Sequence, residues 1–86
     1  MHTVELLEQA LATAVSLGYK IRHEWLDGAS GGACCIGGQR WIFLDLAHDC
    51  PEQLDQVAEA LREDPLLATV TVPEELQRLL GVRRAA

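Results

Sequence analysis

Gly32-Ala33-Cys34-Cys35-Ile36-Gly37-Gly38-Gln39-Arg40-Trp41-Ile42-Phe43-Leu44-Asp45-Leu46 is the stretch that decides the fold of this chain. A Gly-Gly pair readily supplies the two positive φ values of a type I′ turn, so Gly37-Gly38 joins a strand over 32–36 to an antiparallel strand over 39–46. In a two-residue hairpin Ile36 faces Gln39, Cys34 faces Trp41 and Gly32 faces Phe43, and directly opposed side chains share a face. One face then carries Cys35, Ile42, Leu44 and Leu46, an aliphatic surface for helices to cover. The other carries Gly32, Cys34, Trp41, Phe43 and Asp45. A four-residue loop keeps this parity, whereas a three-residue loop reverses it. Upstream, Gly28, Gly31 and Gly32 complete an unusually glycine-dense segment, which means turns or a backbone that something approaches closely.

Before the hairpin, Thr3 followed by Val4, Leu7, Leu11, Ala14 and Val15 repeats at helical spacing, predicting a helix over 3–17 with Thr3 as N-cap and Gly18 as terminator. Leu6, Ala10 and Leu17 widen its apolar arc, which implies burial on two sides. Residues 19–26 alternate, with Tyr19, Ile21, His23 and Trp25 one way and Lys20, Arg22 and Glu24 the other, the pattern of a half-exposed edge strand. Turn chemistry follows over 27–31. After the hairpin, Pro51 opens a helix over 51–62 with the stripe Leu54, Val57, Ala58 and Leu61. Asp64-Pro65 breaks it, and 66–72 reads as an extended connector or short edge strand. A third helix over 73–80 turns Leu76, Leu79 and Leu80 inward and stops at Gly81. The expected architecture is a single α+β domain over 1–86, a mainly antiparallel three-stranded sheet with helices on one face.

Composition bounds the function. At 86 residues the chain buries only roughly 60–65% of its unfolded surface, a thin margin that oligomerisation would widen. Hydrophobic residues at 49% against 23% charged give the balance of a folded globule. Seven basic against 13 acidic residues leave a formal charge of -6, which argues against a nucleic-acid partner. The one basic cluster, Arg83-Arg84, suits the C-terminal end of a helix dipole. An odd count of three cysteines without a secretory signal argues against a disulfide framework. No apolar run reaches the roughly 20 residues needed to span a bilayer, so the expected location is the cytoplasm. The chain opens on Met1 without a tag-like segment and reads as a whole natural protein.

Several groups invite a chemical reading. The glycine segment leads into a strand and not into a helix, so it does not match a phosphate-binding loop. Cys34 and Cys35 alternate to opposite faces and do not chelate one metal together; Cys35 is expected to be buried and Cys34 lies beside Trp41 and Phe43. Asp45, His48, Asp49 and Cys50 gather before the second helix, whose dipole lowers a thiol pKa, so Cys50 is a candidate thiolate with His48 as base. The plainer reading is that Asp49 or Cys50 caps that helix and His48 is solvated. A zinc site from Cys34, His48 and Cys50, with His23 as a fourth ligand, lacks the short paired spacing of strong zinc motifs, and no metal or cofactor is expected. His23 otherwise reads as a hydrogen-bonded packing residue. Glu52, Asp55, Glu59, Glu63 and Asp64 read as a solvated acidic face.

From Leu17-Gly18-Tyr19 through Gly31-Gly32 and Cys34, then Ile42-Phe43-Leu44-Asp45 and Glu52-Gln53-Leu54, the chain resembles a group of small uncharacterised bacterial proteins with no assigned activity. That resemblance implies a shared fold and no function. The order of helix, strand, glycine-containing strand, apolar strand and helix is also similar, more remotely, to the core of ImmA/IrrE-type metallopeptidases. In those proteins the helix after the apolar strand carries His-Glu-x-x-His, which binds zinc and supplies the base. Here that helix, Pro51 to Leu61, has no histidine, so the kinship implies a scaffold without the metal.

The expectation is therefore a non-catalytic cytoplasmic protein that self-associates as a homo-oligomer or binds a protein partner, with no membrane role. Trp41, Phe43 and Trp25 are its interface residues, with Cys34 beside them, because three helices are too few to cover both faces of a sheet. The alternative is a thiol-redox or metal-binding protein using Cys34 or Cys50 with His48. A third option is a small apolar ligand held between the first helix and the sheet, by Leu11, Val15 and Trp25.

Overall fold

The computed structural model describes residues 3–29 and 31–81, so Ser30 in the expected turn and the Arg83-Arg84 cluster lie outside the described residues. The elements are α1 (Thr3–Ser16), β1 (Tyr19–Glu24), β2 (Gly32–Ile36), β3 (Gln39–Asp45), α2 (Cys50–Glu63), a 3-10 helix (Pro65–Thr69) and α3 (Glu74–Leu80). The α+β architecture expected from the sequence is the one observed. Its sheet has the order β1-β3-β2. The chain runs up β1, crosses to the far edge, descends β2 and returns up β3 through the middle.

The hairpin has the register anticipated from its turn, with Ile36 opposite Gln39, Cys34 opposite Trp41 and Gly32 opposite Phe43. Gly37 and Gly38 sit at φ 57° and 82°, the left-handed values that a type I′ turn demands. On its other side β3 pairs in parallel with β1, which sets Lys20 beside Trp41, Ile21 beside Ile42 and Arg22 beside Phe43. With Tyr19, Arg40 and Cys35, four rows thus run across the whole sheet, and their side chains alternate between its faces.

Among the described residues, helices cover one face only. Ile42 and Leu44 of β3 are fully buried there with Val57, Leu61 and Leu76 of the helices, and Leu7, Ala10 and Ala14 of α1 complete the core. The α2 stripe lies as its spacing predicts. Two residues of the α1 pattern do not: Val4 and Val15 are exposed, because the helix buries the arc through Leu7, Ala10, Thr13 and Ala14 instead. Leu46, expected under the helices, is also exposed, since β3 ends at Asp45 and the chain turns away. The segment expected to be extended over 66–72 instead opens as the 3-10 helix, because the Asp64 carboxylate accepts the Leu66 N–H at 2.8 Å and nucleates a turn.

Local chemistry explains why α2 starts where it does. Asp49 is the N-cap: its Oδ1 accepts the Glu52 N–H at 3.0 Å, and the Asp49 N–H donates back to Glu52 Oε1 at 3.0 Å. Gln53 fastens the same corner by donating to the carbonyls of Asp45 and His48. Asp49→Ala removes one arm of the capping box and is expected to cost about 1 kcal/mol. Urea unfolding checks this: the midpoint falls and the slope stays constant, whereas an unchanged midpoint contradicts the capping role.

Candidate functional site

The face of the sheet opposite the helices carries four rows of side chains, the last of them Glu24 beside Asp45. Lys20, Trp41 and Cys34 form one row; Arg22, Phe43 and Gly32 form the next; Gln39 and Ile36 flank the turn end. Trp41 and Phe43, two residues apart on β3, stack with centroids 5.9 Å apart and planes inclined by 15°. Both rings are half-buried. Lys20 Nζ lies 5.6 Å from the Trp41 ring centroid and Arg22 Cζ lies 6.0 Å from it, so both cations of β1 lean over the indole. Arg22 also pairs with Glu24 on its own strand, an exposed contact of little energetic weight. By register the face is aromatic at its centre and carries both signs of charge, Lys20 and Arg22 beside the rings and Glu24 and Asp45 in the next row. On the β2 side it is low and neutral, with Gly32, an exposed Cys34 and Ile36 at 57% exposure.

The structure gathers Trp41, Phe43 and Cys34 on this face. Trp25 follows the last paired residue of β1, is 72% exposed, and is not set by the strand register among the rings. Cys35 is exposed and not buried, because it stands on an edge strand two residues before the turn glycine Gly37. His23 is likewise exposed at the end of the edge strand rather than packed. All three cysteines are free thiols. Cys50 is the first residue of α2, half-buried against the core, while Asp49 takes the capping role. His48 is half-buried, and its Nδ1 is buried with no hydrogen-bond partner. Among the described residues no three His, Cys, Asp or Glu side chains lie close enough to hold a metal ion. Val15 and Trp25, expected to line an apolar pocket with Leu11, are exposed. A cleft of about 220 Å³ instead lies between the start of β2 and α2, at Gly31, Ala33, Gln56, Glu59 and Glu63.

Sequence reasoning missed two groupings. One is the placement of Lys20 and Arg22 over Trp41, which needs the parallel pairing of β1 with β3. The other is a charged cluster on the helix side of the sheet. Arg40 Nη1 donates to Asp64 Oδ2 at 2.7 Å and to the Tyr19 hydroxyl at 3.4 Å, while Nη2 donates to the Leu17 carbonyl at the end of α1. The guanidinium also lies 4.3 Å from the Tyr19 ring centroid. Asp64, read from the sequence as part of a solvated acidic face, is buried here. Burial raises its pKa, but the Leu66 N–H, the Tyr19 hydroxyl and Arg40 outweigh that and hold it below the usual carboxylate value. Burial together with the adjacent Asp64 carboxylate raises the pKa of Tyr19, against the opposing charge of Arg40. The cluster ties Leu17 and Tyr19 to Arg40 and Asp64, which lie far apart in the chain.

No helix among the described residues is long and apolar enough to cross a membrane. Comparison of the chain with protein-family models, curated proteins and solved structures finds no match.

Proposed function

We propose that this chain is a non-catalytic cytoplasmic protein that works by association with a protein surface, its own or another's, through the open sheet face. The observation that carries this reading is the stacked pair Trp41 and Phe43, half-buried on a face that none of the described helices covers. Large aromatic rings in such a setting are the usual anchors of protein interfaces, because they bury much area while losing few rotamers. The flanking Lys20 and Arg22 give the rings a polar rim. The acidic net charge disfavours a phosphate backbone as the ligand.

Photocrosslinking from Cys34 tests the reading. In a Cys35→Ser/Cys50→Ser background, a benzophenone maleimide on Cys34 samples the open face directly. Irradiation of the purified protein and of an extract from the producing cell is expected to give a protein adduct, and Trp41→Ser/Phe43→Ser is expected to abolish it. No adduct in either sample means the face has no protein partner and the reading is wrong.

A further inference from the structure

We infer that the free edge of β2 is a docking site of its own, which takes an extended peptide segment with basic residues at alternate positions. The site stands apart from the open sheet face and does not rest on the association reading above.

β2 is an outer strand and pairs with β3 alone among the described residues. The two-residue turn makes Ile36 and Gln39 a hydrogen-bonded pair, so Ile36, Cys34 and Gly32 turn their N–H and C=O groups toward β3. Those of Ala33 and Cys35 point away from the sheet, where no described strand meets them. Folded proteins commonly blunt such an edge with charge, proline or a bulge. The opposite edge is blunted in this way, since β1 carries Lys20, Arg22 and Glu24. β2 reads Gly-Ala-Cys-Cys-Ile and carries no charge. Its outer backbone groups are a template for one more strand.

The helix beside the edge sets the chemistry of that strand. α2 starts near Asp45, whose carbonyl accepts from Gln53, and is followed at its end by Asp64, which accepts from Arg40. It therefore runs alongside β2 from the Gly32 end to the Cys35 end. The cleft of about 220 Å³ between them is lined on the helix side by Gln56, Glu59, Ala60 and Glu63. Both glutamates are exposed, and among the described residues neither forms an ion pair. Arg40, the cation opposite Cys35, is neutralised by Asp64, while Arg62 reaches away to the Leu79 carbonyl of α3. The cleft is thus acidic without a counter-charge. Its spacing is also that of a strand: Glu59 and Glu63, four residues apart on a helix, are about 6 Å apart along the axis. Alternate residues of a strand are about 6.7 Å apart and share a face. The rows through Ile42 and Ala33 and through Arg40 and Cys35, each extended by one strand, place two such side chains over the cleft. Lysine or arginine at those two positions meets one carboxylate each. A second copy of β2 does not suit the edge, because a two-fold there sets Glu59 and Glu63 against their own equivalents.

A fluorescein-labelled heptapeptide alternating threonine and lysine is the probe, read by fluorescence anisotropy against the full chain. Saturable binding with a Kd of about 100 µM or tighter is expected, weakening as salt rises from about 0.1 to about 0.5 M. Glu59→Gln/Glu63→Gln is expected to weaken it about tenfold or more, and the peptide with glutamate in place of lysine is expected not to bind. Only every second N–H of an added strand faces β2, so of the peptide's two alternately N-methylated forms one is expected to bind and the other not. Cys35→Pro removes an outward N–H and no ladder bond, and is expected to weaken binding too. Circular dichroism shows whether that variant is folded, and the N-methylated peptides make the same test on the unaltered chain.

No binding of the lysine peptide at about 1 mM protein overturns the inference. Equal binding of both N-methylated forms shows charge attraction without strand pairing, and unchanged binding by Glu59→Gln/Glu63→Gln shows that the cleft plays no part; each overturns it. Binding that emerges only in Arg83→Ser/Arg84→Ser makes this chain's own basic segment the occupant, and a dimer dispersed by Cys35→Pro makes it a second copy. Either result overturns the inference as well.

Discussion

Replacing Asp64 by alanine is expected to destabilise the protein by about 3 kcal/mol, and Arg40→Met by a similar amount, because each leaves a buried or half-buried partner without its counter-group. The Asp64 side chain is only 1% exposed, so without Arg40 its carboxylate keeps the Leu66 N–H and the Tyr19 hydroxyl but no counter-charge. Without Asp64, the 3-10 helix loses its cap and Arg40 has only the Leu17 carbonyl and the Tyr19 hydroxyl. Arg40 is 32% exposed and turns partly to water, which keeps the Asp64→Ala cost from rising further. For a domain of this size a loss of about 3 kcal/mol lowers the melting temperature by roughly 12–20 °C. The double variant is expected to lose clearly less than the sum of the two, since one contact cannot be removed twice. Thermal unfolding of the four proteins decides it: additive losses below about 1 kcal/mol each would make the bridge an ordinary surface pair.

The same cluster sets a pH window. Asp64 titrates lower in the folded than in the unfolded chain, so its stabilisation is present above the unfolded carboxylate value and is lost as pH falls through the folded one. Tyr19 titrates higher when folded, so its share is present below the unfolded tyrosine value and is lost as pH rises through the folded one. The cluster's contribution is therefore flat between about pH 5 and about pH 9 and declines on both sides. In Asp64→Ala the acid limb attributable to this residue is expected to disappear.

Gly31→Ala is the second large effect, expected at about 2–3 kcal/mol. A methyl group there would lie 2.7 Å from Gln56 Oε1, 2.8 Å from the Phe43 carbonyl oxygen and 3.2 Å from Leu26 Cδ1. Gln56 is a side chain and can swing aside. The Phe43 carbonyl belongs to the central strand and cannot, so the start of β2 must lift from the sheet edge. The consequence is specific: Gly31→Ala/Gln56→Ala relieves only the side-chain clash and stays destabilised relative to Gln56→Ala. Full recovery in that double variant would show that Gln56, and not the strand backbone, sets the tolerance at this position. Because Gly32 and Phe43 share the lifted row, the near-ultraviolet dichroism of the aromatic pair is expected to change as well.

The hairpin and α2 were legible because their determinants are neighbours in the chain. Gly37-Gly38 sets the turn, the turn sets the register, and the register places Cys34 against Trp41. Asp49, Pro51 and Glu52 set the start of α2 in the same local way. The errors fall where a residue's surroundings come from elsewhere. Cys35, His23 and Leu46 carry the right alternation for burial but are exposed, Cys35 and His23 on the edge strands and Leu46 past the end of β3. Val15 fits the helical spacing of α1 yet faces water, because the packing partners of that helix select a different arc.

By itself, then, the sequence determined the elements, the antiparallel hairpin and the sorting of Trp41 and Phe43 away from Ile42 and Leu44, all of which follow from periods and turns spanning a few residues. Only the tertiary structure decided which edge β1 joins and in which direction, and so which charges stand over Trp41. It alone brought Arg40 to Asp64, 24 residues away. It also turned Gly31 from one more turn glycine into the point where the strand backbone permits no side chain. The reason in each case is the same: parallel pairing, ion pairing across elements and close backbone approach are contacts between distant segments, and they exist only once the core has brought those segments together.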